Sequence, residues 1–425
     1  MSTQGLFTNT TTTTPGDDTQ HVVEVDKVQV NVFFDGTLNN AFNIKAPDDV
    51  KGQVGGDGTS YANGQSNVAR MWEALDLDPD TPDFSFYVEG MGTTKYQKDS
   101  FGGYVAGRGE TGIEDRVDAA FEPLVAMLGK KRGQKGPPAI LEMNAFGFSR
   151  GAAAARLFVH RVQQESRDHK FFVDKWRNVI LQVNFVGLFD TVSSHGYLSY
   201  SSDVQDLHLQ INASKVNRVF HVVALDEYRA RFSCTNVRST VQNGKGYEIG
   251  IPGAHSDVGG GYTSDLAPEP EQREISETRI KRDVESEQAY RGTKAFVYDR
   301  GWYGPNNIPA GARHSDLHER KVVGDYYKVG LSLMVDAAGK YTSAKYPPSL
   351  TAPSSVPAIE AVRSQLRTVA QAELTPNWVL DEHLGVEAAR SFRNQFLHMS
   401  FVERTVAHAP RFKNDTELER EIVEA

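Results

Sequence analysis

Apolar positions in this chain fall into continuous runs and helical stripes, which alternate. Val28, Val30, Val32, Phe33 and Phe34 form a first run, Phe84 to Val88 a second, and Ala139 to Phe148 a third. Val179 to Phe189 is the longest, and shorter runs follow at 218–225 and 247–251. Runs that do not alternate with polar residues fit strands covered on both faces, as in parallel sheets. Between them lie helical spacings. Ile113, Val117, Phe121, Leu124 and Leu128 predict an amphipathic helix from about residue 112 to 128, and the small residues Ala152 to Ala155 predict a helix packed tightly on the sheet. Strands alternating with helices predict an α/β fold with a central, mostly parallel sheet flanked by helices, plus insertions.

The polar stretches divide the chain. Residues 1–25, with Thr10 to Thr14, have nothing to bury and are expected to be disordered. One catalytic domain is expected over 26–410, with a glycine-rich connection at 102–112. A charged insertion at about 264–320 reads as a solvated face. Val322 to Ala338 predicts a packing helix, a Pro/Ser loop follows at 347–357, and a helical region runs from about 358 to 402. Residues 411–425 read as an acidic tail.

Composition narrows the classes. The net charge of −9 over 425 residues argues against nucleic acid as a partner and gives no general attraction to anionic membranes. The single cysteine, Cys234, excludes an internal disulfide and a zinc-cysteine cluster, and reads as a core residue. No apolar run is long enough to span a bilayer, and the first residues lack a Sec-type signal. The expectation is a protein made in the cytoplasm that uses no Sec route.

The chemistry gathers where strands end. Gly147-Phe148-Ser149-Arg150-Gly151 lies between a strand run and a helix run, the setting of a nucleophile elbow. There the serine occupies a strained turn, the flanking glycines allow strand and helix to approach, and the amide of Arg150 at the helix start is a candidate oxyanion donor. A serine hydroxyl needs a base to accept its proton and an acid to orient that base. Asp190, after the longest strand run, is the candidate acid, with Asp226 as the alternative. Either aspartate also fits a cap or turn. His255, in a glycine-rich loop after the last strand run, is the candidate base, and His398 is the alternative. Asp257 is a candidate support for the histidine loop. Asp35-Gly36-Thr37 follows the first strand, where amides of Gly36 and Thr37 are candidates for the second oxyanion donor and Asp35 for support. The same tripeptide suggests a phosphotransferase of the haloacid dehalogenase type, but Phe33 stands where that chemistry needs an aspartate. A serine mechanism calls for no cofactor and no metal.

Four blocks together carry a resemblance. Phe33-Phe34-Asp35-Gly36-Thr37-Leu38-Asn39-Asn40, Gly147-Phe148-Ser149-Arg150-Gly151-Ala152, Gly187-Leu188-Phe189-Asp190-Thr191-Val192 and the stretch Pro252 to Tyr262 resemble the first family of type VI secretion phospholipase effectors, a branch of the α/β-hydrolases. The resemblance covers roughly residues 26 to 262, with a weaker likeness over Leu331 to Ala338. It implies a triad of Ser149, Asp190 and His255, cleavage of acyl esters in glycerophospholipid membranes, and bacterial secretion by a contractile machine into a neighbouring cell's periplasm. It also implies an immunity protein and a secretion spike or adaptor as partners. Two other readings stay open on the residues alone: an esterase on soluble acyl or polysaccharide esters, and an effector-like binding scaffold without catalysis.

Overall fold

The computed structural model describes residues 25–56, 58–100, 111–168, 178–193, 202–262, 274–279, 296–303, 318–374, 376–401, 410–414 and 417–425. The N-terminal segment to residue 24, most of the glycine-rich connection and most of the charged insertion lie outside the described residues.

Six of the apolar runs are strands: β1 (Lys27–Phe34), β2 (Phe84–Val88), β3 (Ile140–Phe148), β4 (Ile180–Phe189), β5 (Val216–Ala224) and β6 (Gly246–Ile251). They form one six-stranded sheet in the order β2-β1-β3-β4-β5-β6. Every pairing is parallel. Both faces are buried, which explains why the runs are continuous. Val28, Val30, Val32 and Phe34 face the helices Ile113–Arg132 and Arg150–Asp168. On the other face Phe33 stacks on Phe146 at 4.7 Å, with Phe185 beyond, beneath the helices Tyr327–Tyr341 and Pro357–Ala372. The predicted helix from 112 is thus present and runs four residues further, to Arg132.

A row of asparagines crosses this apolar sheet. The Asn144 amide donates to Asn31 Oδ1 (2.9 Å), Asn184 to Asn144 Oδ1 (3.1 Å) and Asn217 to Asn184 Oδ1 (2.9 Å), linking β1, β3, β4 and β5. Asn184 sits at a bulge, where the β3–β4 register shifts after Met143 and Val183. Asn31 and Asn144 have no exposed surface, so the bond between them stands in for bonds that water would make.

The strand order reverses direction between β1 and β3: β2 lies on one side, and β4, β5 and β6 follow on the other. In open parallel sheets the crevice at such a switch point, beyond the carboxyl ends, is where ligands bind. Here it brings the loop after β1 against the turn after β3.

Two expectations need correcting. Val322 is in a strand, His318–Val323, paired through Ile275 with Glu274–Arg279, and the helix begins only at Tyr327 after a Gly324–Tyr326 turn. The segment read as an acidic tail is built into the fold. Ile422–Val423 pairs in parallel with Cys234–Thr235, the amides of Cys234 and Asn236 donate to the carbonyls of Glu421 and Val423, and Ala425 is buried. Leu418 and Ala425 are buried among its acidic residues, which composition alone does not register. Cys234 is buried, as expected. Among the described residues no helix is long and apolar enough to cross a membrane.

Replacing Asn144 with alanine removes one bond from Asn31 and one from Asn184 in a buried layer. Asn144→Ala is expected to lower unfolding free energy by about 2–4 kcal/mol, seen as a lower urea midpoint at unchanged slope. A midpoint equal to wild type would show that the row contributes no net stability.

Candidate active site

Ser149 stands between β3 and the helix Arg150–Asp168 with φ of 59°, a left-handed conformation that a non-glycine residue holds only where its surroundings require it. Its amide donates to the carbonyl of Phe189 at the end of β4 (3.0 Å), and its carbonyl accepts from Ala152 and Val192. The elbow is therefore stitched to the strand carrying Asp190. A Cβ on Gly147 would lie 2.4 Å from the Gly151 carbonyl, and one on Gly151 would lie 2.3 Å from the carbonyl of Asp35. The first glycine allows the turn and helix to meet, and the second allows the helix start to meet the loop after β1.

Asp190 follows β4, also with positive φ (44°), and is fully buried. Its Oδ1 accepts from the Ala224 amide (2.9 Å) at the end of β5, and its Oδ2 meets His255 Nδ1 at 2.5 Å. A guanidinium supplies the remaining partners: Arg420 Nη1 reaches Oδ1 (2.5 Å) and Nη2 reaches Oδ2 (3.0 Å). Burial alone would raise the Asp190 pKa; the Arg420 charge and the His255 bond outweigh it and hold the carboxyl well below the usual range.

His255 opens a short helix, His255–Gly259, after β6. Its ring lies against Phe148, the residue before Ser149, with centroids 4.6 Å apart, and meets Phe232 edge-on at 5.1 Å. A Cβ on Gly259 would lie 2.0 Å from the Phe148 ring, so this close packing requires glycine. With Nδ1 committed to Asp190, Nε2 is the nitrogen left for acid–base work. Burial lowers the His255 pKa, and Asp190 opposes that only in part. Beneath it, the buried Glu227 accepts the His255 amide and pairs with Arg229. Burial would raise the Glu227 pKa, but Arg229 holds it down to about 2.

The alternative residues sit elsewhere. Asp226 accepts from the Gly253 amide and the Tyr228 hydroxyl, tying the loop after β5 to the loop after β6. Asp257 accepts from the Ala254 amide and the His398 amide, and bonds His398 Nδ1 at 2.6 Å. The structure thus joins Asp190 to His255, and Asp257 to His398. On the loop after β1, the Gly36 amide donates to Asp35 Oδ1 (2.7 Å). That occupies one of the two amides expected to be free for an oxyanion. The Thr37 hydroxyl has no partner among the described residues.

Two contributors had no sequence signal. Arg420 lies 230 residues from Asp190. His221, fully buried, accepts the Thr191 amide at Nε2 (3.1 Å) and bonds Glu248 through Nδ1 (2.8 Å), which fixes the backbone directly after Asp190. In the sequence His221 is one polar residue inside a strand run.

A parallel sheet with an elbow serine and an aspartate-bonded histidine at its carboxyl edge defines an α/β-hydrolase-like catalytic domain. Residues 29–165 and 158–280 match the family model described as "T6SS, Phospholipase effector Tle1-like, catalytic domain". These segments span more than half of the chain, which belongs to this family of type VI secretion phospholipase effectors. Among solved structures, "Structure of the Tle1 effector bound to the VgrG spike from the Type 6 secretion system" is 18% identical, covers 98% of both chains and superposes with a TM-score of 0.60, a likeness of fold. An uncharacterized protein from Pseudomonas aeruginosa is 20% identical over 87% of this chain and 53% of its own, with a TM-score of 0.44. No curated protein matches the chain.

Burial raises the Asp35 pKa to about 6, against the opposing hydrogen bonds from Ser66, Tyr87 and Gly36. The folded state therefore binds this proton more tightly than the unfolded one. The stabilisation is present below the unfolded value near 3.8 and is lost as pH rises through about 6. Asp35→Asn, which keeps an acceptor for Gly36 without the charge, is expected to raise Tm at pH 7.5 relative to wild type and to narrow that gap at pH 4.5. The same loss of Tm at both values would show that the carboxylate is not strained by burial.

Proposed function

We propose that this chain is a serine hydrolase that cleaves acyl esters of glycerophospholipids in the manner of a phospholipase A, as an antibacterial effector. The observation that carries the reading is the buried Asp190–His255 bond beside the elbow serine, in a chain of the Tle1-like catalytic family. Ser149 Oγ attacks the acyl carbonyl as His255 Nε2 takes its proton, and Asp190 fixes the tautomer and stabilises the imidazolium. The carbonyl oxygen, now negative, is held by the Arg150 amide at the helix start and by Thr37 across the crevice. Collapse of the tetrahedral species breaks the ester bond, and the proton on His255 passes to the leaving lysophospholipid alkoxide. Water, deprotonated by His255, then attacks the acyl-serine, and as the acyl bond to Ser149 Oγ breaks His255 returns the proton to that oxygen and the fatty acid leaves. The family supports export by a type VI machine, and the solved neighbour bound to a VgrG spike supports a spike protein as carrier; we extend the proposal to an immunity protein in the producing cell and to action in the target-cell periplasm.

Positionally labelled phospholipid, offered as micelles and as monomer, tests the reaction. Ser149→Ala is expected to lower kcat on the order of 10³-fold or more and to abolish labelling by a fluorophosphonate probe. Undiminished hydrolysis by the variant would sink the mechanism, and turnover of monomeric esters alone would make the protein a soluble esterase. Because burial depresses the His255 pKa, the acid limb of kcat/KM is expected below pH 6.5, with a plateau by neutrality. An acid limb above 6.5 would contradict that environment.

A further inference from the structure

Arg420 lies in the segment that composition marks as an acidic tail, yet its side chain is only 5% exposed. Each of its three nitrogens donates a hydrogen bond. Nε donates to the carbonyl of Phe232 (2.7 Å), whose ring packs on His255, and Nη1 donates to the carbonyl of Ala224 (3.0 Å) as well as to Asp190. The backbone after it is held by the pairing of Ile422–Val423 with Cys234–Thr235, and the backbone before it by the pairing of Leu418 with Phe412. The arginine is thus fixed from its backbone outward, and its two terminal nitrogens meet the two oxygens of one carboxylate.

We propose that Arg420 is a positioning residue for catalysis, a fork that locks the Asp190 carboxylate in the plane from which Oδ2 meets His255, so that residues 417–425 complete the active site. The proposal rests on the triad reading above. A bidentate guanidinium fixes both the position and the rotation of a carboxylate, which a point charge does not. Without it Oδ1 would keep only the Ala224 amide, and Oδ2 only the histidine that it must orient. The charged groups facing the pair are Arg420, Glu227 and Arg229, with the neutral thiol of Cys234 beside Asp190. Removing Arg420 takes away a cation near His255 and leaves the Asp190 charge uncompensated. The imidazolium is then favoured, and the base becomes neutral only at higher pH.

Kinetics on a soluble short-chain ester, with circular dichroism to verify folding, test this using Arg420→Gln, Arg420→Lys, Asp190→Asn and the double variant Asp190→Asn/Arg420→Gln. Arg420→Gln is expected to lower kcat about 10- to 100-fold, leave KM within about twofold and move the acid limb to higher pH. Arg420→Lys is expected to restore part of the kcat. Added to Asp190→Asn, Arg420→Gln is expected to cost nothing further, since the residue it positions is already disabled. This double variant sets two neutral amides face to face, so it decides the matter even if Arg420→Gln alone does not fold. A wild-type kcat and acid limb in Arg420→Gln would overturn the proposal, as would a further full loss in the Asp190→Asn background. Wild-type activity of Asp190→Asn alone would instead remove the acid assignment, and the role of Arg420 with it.

Discussion

A carboxylate with no exposed surface is the most demanding group in this molecule, and much of the carboxyl edge of the sheet is arranged to satisfy it. Taking a charge out of water costs several kcal/mol even after relaxation, and Asp190 remains ionised because donors converge on it from β5, from the histidine loop and from the segment near residue 420. Each donor comes from a different part of the chain, so the charge acts as a fastener. The left-handed backbone at Ser149 and at Asp190 shows the same constraint from the other side. Both residues stand in conformations that only a well-tied surrounding maintains.

The sheet makes that convergence feasible. Because both faces are covered by helices, the strands are rigid supports and the polar work is confined to their ends. The reversal of strand order between β1 and β3 leaves a gap there, and at Gly151 the helix start comes close to the carbonyl of Asp35. The histidine arrives from β6, at the far edge, through a short helix pressed against Phe148 and against the helix containing Gly330. Packing acts there together with the hydrogen bonds of the loop to Asp226, Glu227 and Asp257 to hold His255 in place.

The sequence revealed what is local. The strand runs, the helix after residue 112 and the elbow are patterns within a few residues, and each corresponds to an element of the fold. Strand-end blocks were legible for the same reason, since polar residues after an apolar run have few other uses. What escaped depends on register or on distant pairing. The asparagine row is visible only once β1, β3, β4 and β5 are aligned, and the bulge at Asn184 has no local sign. His221 looks like an interruption in a strand until Thr191 and Glu248 flank it. Charge counting misled at residues 411–425, because it weighs Glu419 and Glu421 equally with the arginine between them that turns inward. The Val322 strand was misjudged because its partner, Ile275, lies in a stretch read as solvated.

The span between Asp190 and its guanidinium has a consequence in time. A chain emerging from the ribosome presents Ser149, Asp190 and His255 before it presents residue 420, which follows Asp190 by 230 positions. At roughly 5–20 residues per second, synthesis of that interval takes on the order of 10–50 s. Throughout it, the nascent chain holds a carboxylate whose counter-ion has not yet been made. Folding of this region therefore cannot finish from the N-terminal side alone, and the surroundings of Asp190 are complete only when the late-made segment around residue 420 arrives.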